Sequence, residues 1–137
     1  MPDTFLYKDL SFQLRGIFFD IRNTYGPGHK EVVYQNLLEE YLKEKNVRFE
    51  REKSISIHAP QGKNVGIYRP DFIVDNDIIL EVKATEKVVR VHEEQLYYYL
   101  RNSKYQVGFL VNFSSPRLYI KRTIYTNDRK PFLKLSV

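Results

Sequence analysis

Two apolar runs, Phe72-Ile73-Val74 and Ile78-Ile79-Leu80, flank the polar triplet Asp75-Asn76-Asp77. This is the pattern of a β-hairpin, and a hairpin needs the rest of a sheet and a core to be stable. Charged residues stand at its open end, with Asp71 before the first run and Glu81 and Lys83 after the second. A half-buried sheet favours apolar side chains there, so the three charges need a reason.

Side chains alternate along a strand, which puts Ile79, Glu81 and Lys83 on one face and Ile78, Leu80 and Val82 on the other. The place of Asp71 depends on the turn. A three-residue loop at 75–77 pairs Val74 with Ile78 and carries Asp71 opposite Glu81, with Cβ atoms ~4.5 to 5.5 Å apart. A two- or four-residue loop shifts the register by one and sends Asp71 to the other face. Both remain open at the level of sequence; the three-residue loop is adopted because it turns an isolated charge into a constellation. Facing carboxylates on a partly dry sheet are costly unless protonated, paired or bound to metal. Mg²⁺ suits them, because it takes hard oxygens at ~2.0 to 2.1 Å, commonly one or two carboxylates plus water and phosphate. The bland alternative is a solvated cross-strand charge cluster.

Periodicity predicts the surrounding elements. Leu10, Leu14, Ile17, Phe18 and Ile21 recur at helical spacing over 7–24, and Gly26-Pro27-Gly28 ends that helix. A second helix over 29–45 carries Tyr34, Leu37, Leu38, Tyr41 and Leu42. Residues 47–58 read as one long, bent or bulged strand, 59–64 as a turn and 64–74 as a returning strand. A third helix is expected over 88–102, a buried strand over 105–113, a half-buried one over 117–125, and a short edge strand in the tail. The resulting order, α-α-β-β-β-α-β-β, is an α/β chain with a mixed sheet flanked by helices. Its 137 residues suit a single domain spanning 1–137.

The helices add polar groups to faces that should be apolar. Glu31 precedes Tyr34 by three residues and Leu38 by seven, so it falls on the core-facing stripe. His92, Gln95, Leu96 and Tyr99 share a face of the third helix. A first-turn Glu or a lone core His has a dull explanation, but several such exceptions in one small chain point to a shared polar site.

With no cysteine in the sequence, disulfides, thiolate catalysis and Cys-held zinc or iron-sulfur centres are excluded. No apolar run approaches the ~20 residues of a membrane span, and the first ten residues lack the features of a signal peptide, so a cytoplasmic location is expected. The net charge of +5 is compatible with a polyanionic partner but common in soluble proteins. Clusters at Lys43, Lys45, Arg48, Arg51 and Lys53, and at Lys121, Arg122, Arg129 and Lys130, are read first as solvated faces. Of Tyr97, Tyr98 and Tyr99, not all can point inward, and an exposed one could stack on a base.

Taken together, Asp71 in Arg-Pro-Asp-Phe followed by Glu81-Val82-Lys83 resembles the signature of the PD-(D/E)xK nuclease superfamily. The chain is more similar still to the GxxExxY branch of that superfamily. Gly28, Glu31 and Tyr34 spell its motif, and His92, Gln95, Leu96, Tyr99 and Leu100 match its helical pattern ahead of the strand Val107-Gly108-Phe109-Leu110-Val111-Asn112-Phe113. The resemblance covers residues 7–122. It implies a restriction-endonuclease-like fold with Asp71 and Glu81 as metal ligands, the Val82 carbonyl as a third, and Glu31 holding a metal-bound water or second ion. Lys83 would orient the attacking water and offset charge on the phosphate; Gln95 would be an accessory polar residue, with His92 a weaker candidate.

The function expected is Mg²⁺-dependent hydrolysis of phosphodiester bonds, in DNA before RNA, with Mn²⁺ able to substitute. Nucleic acid is the expected partner, no membrane is involved, and a homodimer is compatible with the reading. The alternatives are a catalytically inactive nuclease-fold module that binds nucleic acid or a protein, and a polar cluster that is only a buried ion-pair network. The last requires Lys83 to pair tightly with Glu81.

Overall fold

The computed structural model describes residues 5–88 and 90–134 of the chain. Helix α1 (Lys8–Tyr25) ends where Gly26 adopts a positive φ of 72° and donates its N–H to the Arg22 carbonyl. Helix α2 (Glu31–Glu44) follows the Pro27-Gly28 turn. Both agree with the periodicity to within two residues at each end.

Strand β1 (Phe49–Arg51) and strand β2 (Ile55–His58) replace the single strand expected over 47–58, and β3 (Asn64–Tyr68) and β4 (Phe72–Val74) replace the one over 64–74. In each case the chain leaves one sheet for another. Glu52 turns the first corner with a left-handed φ of 57°, which an alternating apolar pattern does not reveal. Pro70 marks the second, because proline has no N–H for a ladder. β5 (Ile78–Lys83), α3 (Arg90–Arg101), β6 (Val107–Asn112) and β7 (Tyr119–Ile124) follow. The expected span of the third helix includes Val89, which lies outside the described residues.

The tail corrects another expectation. Over the described part of the tail, where an edge strand is expected beyond Pro131, a 3₁₀ turn (Asn127–Arg129) leads into a helical turn, α4 (Pro131–Lys134). Pro131 occupies the first helical position, where its missing N–H costs nothing. Residues 135–137 lie outside the described residues.

The main sheet has the order β1-β4-β5-β6-β7, and β2-β3 forms a separate two-stranded sheet. Among the described strands of this sheet only β5 and β6 are parallel, and α3 connects them; the other neighbours are antiparallel. This is a mixed α/β fold with a five-stranded sheet flanked by helices, consistent with the restriction-endonuclease-like class. The interior strand β6, between β5 and β7, is buried along its whole length, as a parallel strand covered on both faces must be. One core joins Leu14, Phe18, Tyr34 and Leu38 of α1 and α2 to Ile78, Leu80 and Val82 of β5. The opposite core joins Leu96 and Leu100 of α3 to Ile73 and Ile79, with Ile55 and Tyr68 of the small sheet. α3 can approach this closely because residue 108 is glycine: a Cβ there would stand 2.9 Å from a Leu96 methyl. Among the described residues, no helix is long and apolar enough to cross a membrane.

Candidate functional site

The register settles where Asp71 falls. Val74 pairs with Ile78, Ile73 with Ile79 and Phe72 with Leu80, so the 75–77 loop has three residues and Asp71 comes opposite Glu81. Asp75 and Asn76 supply the left-handed conformations of the turn, with φ of 50° and 58°, and Arg48 pairs with Asp75 at 2.8 Å. The two site carboxylates hold each other through backbone. The N–H of Asp71 donates to Glu81 Oε1 at 2.9 Å, and the N–H of Val82 donates to Asp71 Oδ2 at 2.7 Å. Asp71 Oδ1 and Glu81 Oε2 are the oxygens outside this clamp.

Both carboxylates are half-buried. Burial, and then the charge of Asp71, push the Glu81 pKa up to about 7. Burial raises that of Asp71 too, against the lowering effects of the Val82 N–H and of Lys83. Two facing oxygen acids whose ionisation burial disfavours, Glu81 further so by the charge of Asp71, form a site that a hard dication would stabilise. Among the described residues no three His, Cys, Asp or Glu side chains converge into a metal cage, so the fit is to an ion that takes two carboxylates and completes its shell with carbonyl, water or phosphate oxygen. Lys83 forms no ion pair within 4 Å among the described residues. It therefore stands beside Glu81 without a direct ion pair to it, although its charge acts on both carboxylates, whereas a buried ion-pair network requires a tight Lys83–Glu81 pair.

Glu31 opens α2 and is exposed; the buried stripe starts at Tyr34, one turn on. Burial raises the Glu31 pKa, and the charges of Lys83 and Asp71 both act on it, which puts its carboxyl at the rim of the same site. Gln35, a further turn along, was not singled out by sequence. It donates to Glu31 Oε2 at 3.4 Å, accepts from Arg51 at 3.3 Å, and its side chain reaches Asp71. Its i, i+4 relation to Glu31 was the available signal. His92 is half-buried, its pKa lowered by burial and then by the charge of Lys83, so it flanks the site. Gln95 is exposed, because Leu96 and Leu100 are the residues of α3 that the sheet buries. Among the described residues no hydrogen bond ties it to the carboxylates.

Loops on either side hold this geometry. Tyr34 is fully buried, stacks on Phe113 with ring centroids 4.8 Å apart, donates its O–H to the Gly26 carbonyl at 2.6 Å and accepts from the His29 N–H at 3.2 Å. Gly28, with φ of 98°, donates its N–H to Ser114 Oγ at 3.1 Å. The spacing Gly28, Glu31, Tyr34 is thus a turn, a helix start and the side chain that pins the turn to the helix. Asn112, opposite Lys83 in the register, accepts from the Thr85 N–H at 3.1 Å and donates to the Thr85 carbonyl at 3.0 Å, which fixes the chain leaving β5.

The family model for the PD-(D/E)XK nuclease superfamily matches residues 8–123. The chain belongs to this superfamily. A solved structure described as "Crystal structure of SSO0001" shares the fold, with a TM-score of 0.52 and 22% identity over 95% of this chain. This chain spans 63% of that one. No curated protein matches.

The basic clusters of this superfamily member are mostly committed elsewhere. Lys43 pairs with Glu39 and Glu40, Arg51 with Glu39, and Lys53 with Glu50. In the second cluster Lys130 is wholly buried, Arg122 donates to the Leu6 carbonyl at 2.7 Å, and Arg129 lies over the Tyr125 ring at 4.0 Å. Lys45, Arg48 and Lys121 stay exposed. Arg69 and Lys30, exposed neighbours of Asp71 and Glu31 in the chain, lie nearer the carboxylates in sequence. Of the three tyrosines on α3, Tyr98 is exposed, while Tyr97 and Tyr99 are half-buried.

Proposed function

We propose that the chain is a divalent-metal-dependent nuclease of the GxxExxY branch that hydrolyses phosphodiester bonds in DNA, with Mg²⁺ as its ion and Mn²⁺ as a substitute. The observation that carries this reading is the reciprocal clamp of Asp71 and Glu81, with the charge of Lys83 acting on both carboxylates. A pure binder of nucleic acid gains nothing from two repelling carboxylates where phosphate must approach. The branch assignment is supported by the roles of Gly28, Glu31 and Tyr34 in one turn-and-helix unit.

Asp71 and Glu81 would hold the ion, with the Val82 carbonyl as the third protein oxygen and Glu31 on the rim. Bound there, the ion supplies a water of lowered pKa and Lewis acidity toward the phosphate. Lys83 orients the attacking water and offsets charge that develops on the phosphoryl oxygens. Gln35 steadies Glu31 and Asp71; Gln95 would serve as an accessory polar residue, with His92 a weaker candidate. A cytoplasmic location and an organisation as a single domain that works alone or as a homodimer go with this reading.

The test is a panel of labelled single-stranded, duplex and branched DNA and RNA, incubated with Mg²⁺ or Mn²⁺ beside a Lys83→Ala variant. Metal-dependent cleavage of DNA that the variant lacks is the expected result. Binding without cleavage across the panel would instead favour an inactive nuclease-fold module.

A further inference from the structure

Tyr68 ends β3 three residues before Asp71 and is 7% exposed. Its ring stacks on Tyr99 of α3, centroids 3.6 Å apart and planes 14° from parallel, and packs in the core that contains Ile55, Ile73 and Ile79. The hydroxyl at the tip is sealed from solvent. It lies close enough to Glu81 to interact with that carboxylate, yet stops short of a hydrogen bond with acceptable geometry. Buried polar atoms are nearly always partnered. A phenylalanine would keep the stack and the packing without hiding an unpartnered O–H, so packing does not account for the tyrosine.

We propose that Tyr68 is a positioning residue for Glu81, donating its phenolic O–H to that carboxylate when the latter turns to take a divalent cation. This rests on the metal-site reading above. The Asp71 N–H already restrains Glu81 Oε1; a second donor, delivered from a ring clamped between the small sheet and α3, fixes the remaining rotation of the carboxylate. Donors in the outer shell orient metal ligands in this way, and their loss weakens metal binding. Neutral phenol is suited to the task, since it adds a donor without adding a charge that would compete with the ion.

The full chain, Tyr68→Phe and Glu81→Ala would be compared by calorimetric titration with Mn²⁺, with urea unfolding of each. Tyr68→Phe should unfold cooperatively near the wild-type midpoint and bind Mn²⁺ about tenfold more weakly, while Glu81→Ala binds none. As a second readout that needs no variant, the ¹³Cζ resonance of Tyr68 in the wild-type chain should shift on addition of Mg²⁺. Wild-type affinity in Tyr68→Phe, or a resonance indifferent to Mg²⁺, overturns the assignment of Tyr68 while leaving the metal site intact. Failure of the wild-type chain to take up either ion overturns the metal-site reading, and this assignment with it.

Discussion

Replacing Asp71 separates what its carboxylate does for the fold from what it does for the site. In Asp71→Ala the Val82 N–H loses the acceptor it now reaches at 2.7 Å. A hydrogen bond to a charged group contributes about 1.5–3 kcal/mol. In Asp71→Asn the amide oxygen can still accept it, so only the charge is lost. Either change removes the repulsion from Glu81; for two charges ~5 Å apart at an effective dielectric near 20 that is up to about 3 kcal/mol, the larger part screened at a half-exposed site. In the presence of a chelator, urea unfolding should therefore find Asp71→Asn at least as stable as wild type. Asp71→Ala should fall below Asp71→Asn by about 1–3 kcal/mol, the cost of leaving the Val82 N–H without an acceptor. Calorimetry with Mn²⁺ should show binding lost in both, since both delete a ligand charge. Equal stabilities of the Asn and Ala variants would refute the clamp, because nothing else in the pair distinguishes an acceptor from its absence.

Tyr34→Phe keeps the stack on Phe113 but removes the bonds to Gly26 and His29; it should cost about 1–3 kcal/mol and speed amide exchange at His29, and unchanged exchange there would count against the pinning role. Lys130 gives a pH dependence. Its Nζ donates to the Ser103 and Tyr105 carbonyls at 2.8 and 2.6 Å, and burial pushes its pKa down to about 7. Unfolded lysine titrates near ~10.4, so between these values the unfolded chain binds more protons: the contribution is full above the upper value and is lost as pH falls through the lower one. Relative to Lys130→Met, the wild-type chain should gain about 2–3 kcal/mol in urea unfolding between pH 7 and 9. A pH-independent difference would mean that the two carbonyls keep the ammonium charged throughout.

Local pattern was enough to place the helices α1 and α2, the buried β6 and the hairpin, because each rests on a period of hydrophobicity or on a turn that neighbours in the chain enforce. The corners at Glu52 and Pro70 were less legible. A positive φ at a glutamate leaves no compositional trace, so β1 and β2, and likewise β3 and β4, read as continuous strands although they belong to different sheets. Gln35 escaped notice for a related reason: its importance comes from Arg51 and Asp71, which lie far along the chain.

What the sequence determined by itself was the inventory: an acid before one strand, an acid and a lysine two apart on the next, and a glycine turn tied to a helix start. Strand alternation and helix periodicity are local, so these relations hold wherever the elements end up. Tertiary structure decided which of them meet. The hairpin register brought Asp71 onto Glu81, the packing of α2 carried Glu31 and Gln35 to the rim, and α3 turned Leu96 inward and Gln95 out. Those outcomes depend on contacts between segments distant in the chain, where the free energy of burying whole faces outweighs any preference a single residue carries.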